Sequence, residues 1–536
     1  MMNRLLKRAA AAALLLSGSG TAQETTVTTT AVSTAITDIT TTVASTAASS
    51  CATVLTPTYS PPVVAKGWKA QLIATNLSSP RGIKFDSSGG LLVVEAQAGL
   101  RRLVFDDNGG TCLSVKESTS VIDDNELNHG LELSADGKTL YVSSTENVDQ
   151  YSYDAETGTV GSLTRIISNM TNPNFGHSTR TLLLSQHVPD LLVVSRGSSE
   201  NIDLLTNDIT SGISQLRAFN VSNTTTTVLD RPYNYPSDGL LIAWGLRNSV
   251  GVTEHPETGT IWSVENSADE IHRLGEDVHE DNPGEELNFH GALNDADSKL
   301  LGANYGYPNC FALWNTTAFP SPGDLTVGAQ FSLDNNATAN DTACAANTVS
   351  PRITFRAHMA PLDIKFNGTS RAFVSFHGSW NRDHPAGYKL SYVDFDNEAG
   401  EPVAQSDSLE AVRDVLTAPD VSVCGSGGKC LRPAGLAFDA DRQRLFVTSD
   451  ATGEIWVVTR DGEEVDVGSG EGNASSSSGN GGPNGGGSNT GGGPSPSSST
   501  AAAVPGVVYH GVGGGGWTVI GVTVGMMVLG GVGFMI

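Results

Sequence analysis

A pair of short apolar runs separated by a polar turn occurs six times between Gly82 and Asp450. The first runs start at Gly82, Gly130, Thr181, Gly251, Asp363 and Gly435. The second runs are Leu91–Glu95, Leu140–Ser144, Leu191–Ser195, Ile261–Glu265, Ala372–Phe376 and Leu445–Ser449. Each is followed by a corner residue: Ala96, Thr145, Arg196, Asn266, His377 and Asp450. From anchor to corner is 14 or 15 positions in every copy, and turns such as Ser87-Ser88-Gly89-Gly90 and Glu257-Thr258-Gly259 divide the runs. Third runs follow at Leu100–Phe105, Gln150–Tyr153, Lys389–Phe395 and Ile455–Thr459. Antiparallel units of about four strands repeating in this way imply a closed ring, so the expected fold is all-β, a six-bladed β-propeller. A β-sandwich would not call for six equal copies. Anchor-to-anchor steps of 48, 51, 70, 112 and 72 residues place an insertion, 276–356, between copies four and five.

In such a ring the innermost strands line a central channel, so residues before each anchor and at each corner converge on its mouth. The residues just before the first three anchors are Arg81, His129 and Arg180. Copy four has Arg247-Asn248 slightly further ahead, and copy six has Arg432. The corners add Arg196, Asn266, His377 and Asp450, and the fifth corner continues as His377-Gly378-Ser379-Trp380-Asn381-Arg382. Guanidinium groups pair with carboxylates in a bidentate fork and stack on flat rings, so this set fits a flat polyanion, with Trp380 as a stacking face. Each Arg could instead tie blade backbones together. A neutral imidazole can take a proton from an alcohol; His129 is the first candidate, with His377 and His358 behind it. Carboxylates in 265–270 and 281–288 offer hard oxygen ligands for Ca²⁺, although the second stretch reads more simply as a solvated acidic loop.

The chain of 536 residues has 31 Lys+Arg against 57 Asp+Glu, a net charge of −26, which excludes nucleic acid and anionic lipid as partners. Residues 1–22 read as a signal peptide: a basic start, a short apolar run and small residues at the cleavage site. Residues 23–55 form a Ser/Thr-rich linker and 468–503 a Gly/Ser-rich stalk, both expected to be disordered, with the propeller between them at 56–467. Residues 504–536 end in an uncharged apolar tail with no basic flank, the pattern of a lipid-anchor (GPI) attachment signal, with an ordinary membrane span as the alternative. The expected location is the cell surface. Six cysteines then imply three disulfides, Cys424–Cys430 and, as the simplest remainder, Cys310–Cys344 and Cys51–Cys112. Nine sequons, from Asn76 to Asn473, fit a glycosylated surface.

Taken together, the His-Gly lead-in of copy two, Arg247-Asn248, Glu285-Glu286-Leu287-Asn288, Asn304-Tyr305-Gly306-Tyr307-Pro308 and the 377–382 turn resemble the pyrroloquinoline-quinone (PQQ)-dependent sugar dehydrogenases. The fungal pyranose dehydrogenases are the most similar, over Val63 to Arg460. The resemblance implies a sugar substrate, PQQ, and Ca²⁺ held partly by the Ser267 and Ala268 carbonyls, where the family carries Gly-Pro. It also implies His129 as the base, Arg247 on the reacting quinone oxygen, and Arg81, Arg196, Asn248, His377, Trp380, Asn381 and Arg432 around the cofactor. Electrons would pass to an external acceptor, such as another secreted redox enzyme. Two other readings make different demands. A Ca²⁺-dependent lactonase or esterase needs Asp, Glu and Asn side chains converging on one central ion, and a cell-surface binding module needs no ionisable centre.

Overall fold

The computed structural model describes Cys51 and residues 54–461, apart from Phe175 and residues 223–229 and 426–428. The segments read as signal peptide, stalk and anchor signal lie outside the described residues. Most of the linker does too, but its end belongs to the ring: Cys51 is bonded to Cys112, and Leu55 bridges to Leu72.

Six antiparallel sheets correspond to the six sequence copies, so the expected all-β propeller is observed. Blade one is Pro80–Phe85, Leu91–Glu95, Gly99–Asp107 and Leu113–Ile122. The other blades begin with Leu127–Leu133, Leu182–Leu184, Ser249–Glu254, Pro361–Asn367 and Pro433–Phe438. Each blade's second strand is among the most buried, because apolar side chains on both faces pack against flanking blades. Trp262 and Val264 of blade four, for example, share an apolar layer with Ile364, Phe366 and Val374 of blade five. Blade six is completed from the other end of the ring: Trp68–Ala74 pairs antiparallel with Glu454–Arg460. The ring is therefore closed by main-chain hydrogen bonds between Trp68–Ala74 and its last strand.

The glycine anchors have a steric cause. A methyl group on Gly82, Gly130 or Gly435 would overlap the carbonyl oxygen of the next blade's lead-in residue, His129, Arg180 or Arg81. Those carbonyls are also bound by second-strand hydroxyls, Ser143 Oγ to Arg180 O at 2.6 Å and Thr448 Oγ1 to Arg81 O at 3.0 Å. The repeat thus encodes blade-to-blade stitching at the inner edge, which fixes where the lead-in side chains stand.

The insertion differs from its sequence reading. Its stretch Glu285–Ala292 is the third strand of blade four, and Ile353–Phe355 the fourth. Glu285 and Glu286 are buried, not part of a solvated loop. Between these strands lie the hairpin Cys310–Ala312/Gln330–Ser332 and the short helix Asp341–Asn347. Cys310–Cys344 staples them together, and Cys424–Cys430 completes the three expected disulfides.

Candidate active site

Two groups of ionisable side chains form where lead-in residues and corners meet. The first is a chain of bonds across four blades. Arg81 Nε donates to His129 Nδ1 at 3.3 Å, and its Nη1 donates to Asp450 at 2.7 Å. Asp450 accepts His377 Nε2 at 2.7 Å, and Arg432 Nη1 lies 3.4 Å from His377 Nδ1. Arg432 also donates to the Gly378 carbonyl and covers the Tyr388 ring. Since an Arg faces each Nδ1, both imidazoles are neutral with the proton on Nε2. Burial, then the Arg81 charge, holds His129 well below the usual histidine range. Burial also lowers His377, reinforced by Arg432 and Arg81 against the pull of Asp450. Burial alone would raise Asp450; His377 and Arg81 outweigh it and keep the carboxylate charged.

The second group surrounds a cavity of about 190 Å³. Its walls include His177, Arg247, Ser267, Asp269, Glu285, His358, Trp380 and Asn381. Arg247 is fully engaged: Nη1 donates to the Ser267 carbonyl at 2.6 Å, Nη2 to Asn201 Oδ1 and Asp269, both at 2.9 Å, and Nε to the Asn201 carbonyl. Asp269 also accepts Asn381 Nδ2 at 3.0 Å. Glu285 accepts the Ser267 and Ala360 main-chain N–H groups; burial pushes it up to about 7 despite His358 and those bonds. Trp380 is 53% exposed at the cavity, a large aromatic face left open. Asn381 Oδ1 is buried with no partner.

His177 is the residue the sequence reasoning missed. Its Nδ1 lies 3.0 Å from the Ser198 carbonyl and 2.9 Å from Ser198 Oγ. A carbonyl can only accept, so Nδ1 carries the proton and Nε2 keeps its lone pair. Burial and then the Arg247 charge push this histidine down to about 3, so the ring is neutral. The signal was available: His177 stands four residues before its anchor Thr181, as Arg247 stands four before Gly251. Asp269 and Glu285 were seen only as acidic stretches.

The remaining sequence candidates stand behind the cavity lining. Arg196 donates to Asn172 Oδ1 and to the Ser211 and Thr171 carbonyls, and Arg180 to three main-chain carbonyls. These two arginines tie backbone together. Asn248 is buried, and its carbonyl accepts the Asn266 N–H at 3.0 Å. Ala268 is buried in an apolar cluster with Ile271, Tyr307 and Phe311. The structure therefore brings Arg247, Ser267, Trp380 and Asn381 onto the cavity, and Arg81, His129, His377 and Arg432 into the neighbouring network.

A closed six-bladed ring with a buried pocket of histidine, arginine and carboxylate groups is the architecture of a propeller enzyme. The chain belongs to the TrAA12-like family, whose sequence model matches residues 62–461. It is 49% identical over 420 residues to a pyrroloquinoline quinone-dependent sugar dehydrogenase of Hypocrea jecorina, spanning 77% of this chain and 92% of that one. It is 35% identical to a pyrroloquinoline quinone-dependent pyranose dehydrogenase of Coprinopsis cinerea, over 74% of this chain but only 54% of that longer one. Among solved structures it is similar to a calcium structure of Trichoderma reesei family AA12, with a TM-score of 0.73 and 49% identity, covering 76% of this chain and all (100%) of that one. It is also similar to the holo form of the pyranose dehydrogenase PQQ domain from Coprinopsis cinerea, with a TM-score of 0.71 and 34% identity, covering 76% and 99%. The resemblance read from the motifs holds.

Proposed function

We propose that this chain is a PQQ-dependent sugar dehydrogenase that oxidises a pyranose or a 2-keto-aldose and delivers the electrons to an external acceptor. The observation that carries the reading is His177, whose Nδ1–H on the Ser198 carbonyl leaves the lone pair on Nε2, in a cavity that also holds the fixed cation Arg247. The cavity residues fit a flat anionic group. Arg247 supplies charge, Trp380 an open ring face, and Asn381 Oδ1 a buried acceptor awaiting a donor.

When bound, the quinone would supply a hydride acceptor for the carbon that bears the sugar hydroxyl. His177 takes the hydroxyl proton on Nε2 while its Nδ1–H stays on the Ser198 carbonyl. The O–H bond breaks toward nitrogen and the carbonyl bond forms behind the departing hydride. Arg247, held by Asn201, Asp269 and two carbonyls, cannot swing away, and with its N–H groups committed to the protein it would favour negative charge on a bound quinone through its field. The base role read onto His129 thus passes to His177. His129, Arg81, His377 and Arg432 instead brace the corner that presents Trp380 and Asn381, with Arg196 and Asn248 fixing the adjoining walls. Ca²⁺ would be held by the Ser267 and Ala268 carbonyls, hard donors of the type it prefers, and would share the Ser267 carbonyl with Arg247 Nη1, which donates to it at 2.6 Å. Among the described residues no cluster of three or more His, Cys, Asp or Glu offers a metal site.

Three disulfides support an oxidising, extracellular location, and the tail supports a lipid anchor on the membrane. Among the described residues no helix is long and apolar enough to cross a membrane. The test is to add PQQ and Ca²⁺ to the purified chain and follow dye reduction with a panel of aldoses and 2-keto-aldoses. Absence of cofactor binding by absorbance ends the reading. Ester hydrolysis without quinone would favour a lactonase, and binding of neither would favour a non-catalytic surface module.

A further inference from the structure

His358 is buried on the cavity wall between two acceptors. Its Nδ1 lies 3.3 Å from Asp269 Oδ1, and its Nε2 lies 2.6 Å from the carbonyl oxygen of His279. A neutral imidazole has one proton, so either tautomer would aim a lone pair at a carboxylate or at a carbonyl. Only the doubly protonated ring satisfies both. This differs from His129, His177 and His377, each of which meets a donor or keeps one nitrogen open. The backbone here is constrained as well. His358 and Ala360 have φ of +62° and +53°, in the left-handed region that non-glycine residues avoid.

The two acceptors belong to different segments. Asp269 lies after the fourth corner and already anchors Arg247 and Asn381. His279 lies in 276–284, the lip of the insertion, which Arg382 also grips through the Glu280 carbonyl and Asp281. The groups facing His358 are Asp269, Glu285 and the His279 carbonyl, with Arg247 and His177 beyond Asp269. Glu285 and Asp269 are both acidic, so the surroundings favour a cation. Burial opposes protonation, but the Asp269 bond and the nearby Glu285 outweigh it and raise His358 above the usual histidine value.

We propose that His358 is a positioning residue: an imidazolium at neutral pH that latches segment 276–284 to Asp269, and adds a second positive charge beside Arg247 to the cavity wall. It acts through Asp269, Arg247 and Asn381 and does not itself hand over a proton. An anionic cofactor or substrate would meet two cations, Arg247 and His358, in a wall that also carries Asp269, Glu285, Glu200 and Glu270. The link to catalysis rests on the dehydrogenase reading, but the latch does not.

The test uses the full chain without cofactor. Nitrogen-15 NMR of labelled histidine, with the His358 signals assigned by their loss in His358→Gln, reports protonation directly. Both ring nitrogens should be protonated at pH 7. Amide exchange in 276–284 should be slow at pH 6 to 7 and accelerate, beyond the intrinsic effect of pH, as the ring loses its proton at higher pH. His358→Gln should show fast exchange at all pH values, and His358→Arg should restore part of the protection. If His358→Gln does not fold, the wild-type exchange profile still decides. A neutral His358 at pH 6, or protection in 276–284 indifferent to the ring's protonation, overturns the proposal. Once the chain is reconstituted, His358→Gln should weaken PQQ binding about tenfold, and His358→Arg should recover it. Failure of sugar oxidation with the NMR and exchange results intact would overturn the dehydrogenase reading and leave the latch standing.

Discussion

His129, His177 and His377 are all buried, and on our proposal only His177 accepts a proton from a cavity ligand. The difference is one atom wide. Arg81 and Arg432 face the Nδ1 atoms of His129 and His377, whereas a carbonyl faces that of His177. A reading limited to residue type cannot separate them, because tautomer is set by a main-chain oxygen that only the fold supplies. His129 directly precedes its anchor Gly130, whereas in blade three Arg180 takes that position and His177 stands four residues ahead of Thr181. The depression of His177 to about 3 has a consequence for pH. The base form persists down to about pH 4, so no acid limb of kcat/KM between pH 4 and 6 should come from this residue. A pH–rate profile checks this. Trp380 keeps an open face at the cavity, and Trp380→Ala should weaken cofactor binding about tenfold, the worth of one aromatic stacking contact. Fluorescence titration with PQQ measures it.

At the scale of strands, the inner half of each blade was legible because anchors, turns and corners follow steric rules. Gly130 has no room for a methyl group against the Arg180 carbonyl. Gly130→Ala should therefore destabilise the fold by about 1–3 kcal/mol, read as a lower denaturant midpoint at unchanged slope. The outer half of blade four was not legible. Glu285-Glu286-Leu287-Asn288 looks like solvated chain, and only the ring packs those carboxyls inward, with Glu286 beside Glu265 across the strand pair. Burial pushes Glu286 up to about 7, while the unfolded chain titrates near 4.5. A carboxyl with a raised folded value stabilises the fold below the unfolded value, and that contribution fades as pH rises through the folded one. The contribution of this carboxyl thus falls from pH 4.5 to 7, opposite in sign to that of the buried neutral histidines His129, His177 and His377. Glu286→Gln, which cannot ionise, should therefore make the slope of Tm against pH more positive in that window in a thermal-melt series. An unchanged slope would show that this carboxyl is ionised in the folded chain.

The whole ring was predictable from its count, but not its closure. Nothing in the runs themselves says that Trp68–Ala74 joins the last blade, because that pairing spans the length of the domain. Removal of residues through Ala74 should leave the edge of Glu454–Arg460 unpaired and abolish a single cooperative melt. Removal only through residue 50 should not. The same ring assembles a cavity from blades that are far apart in sequence: His177, Arg247 and Trp380 reach it from blades three, four and five. The cavity's chemistry is therefore a property of the closed molecule. The most direct test is sugar-dependent reduction of bound PQQ in the Ca²⁺-reconstituted chain, compared among wild type, His177→Ala and His129→Ala at matched cofactor occupancy. The expected result is a 10²–10⁴-fold loss of turnover for His177→Ala with cofactor affinity retained, and turnover within a few-fold of wild type for His129→Ala. Full turnover in His177→Ala, or loss confined to His129→Ala, would contradict it.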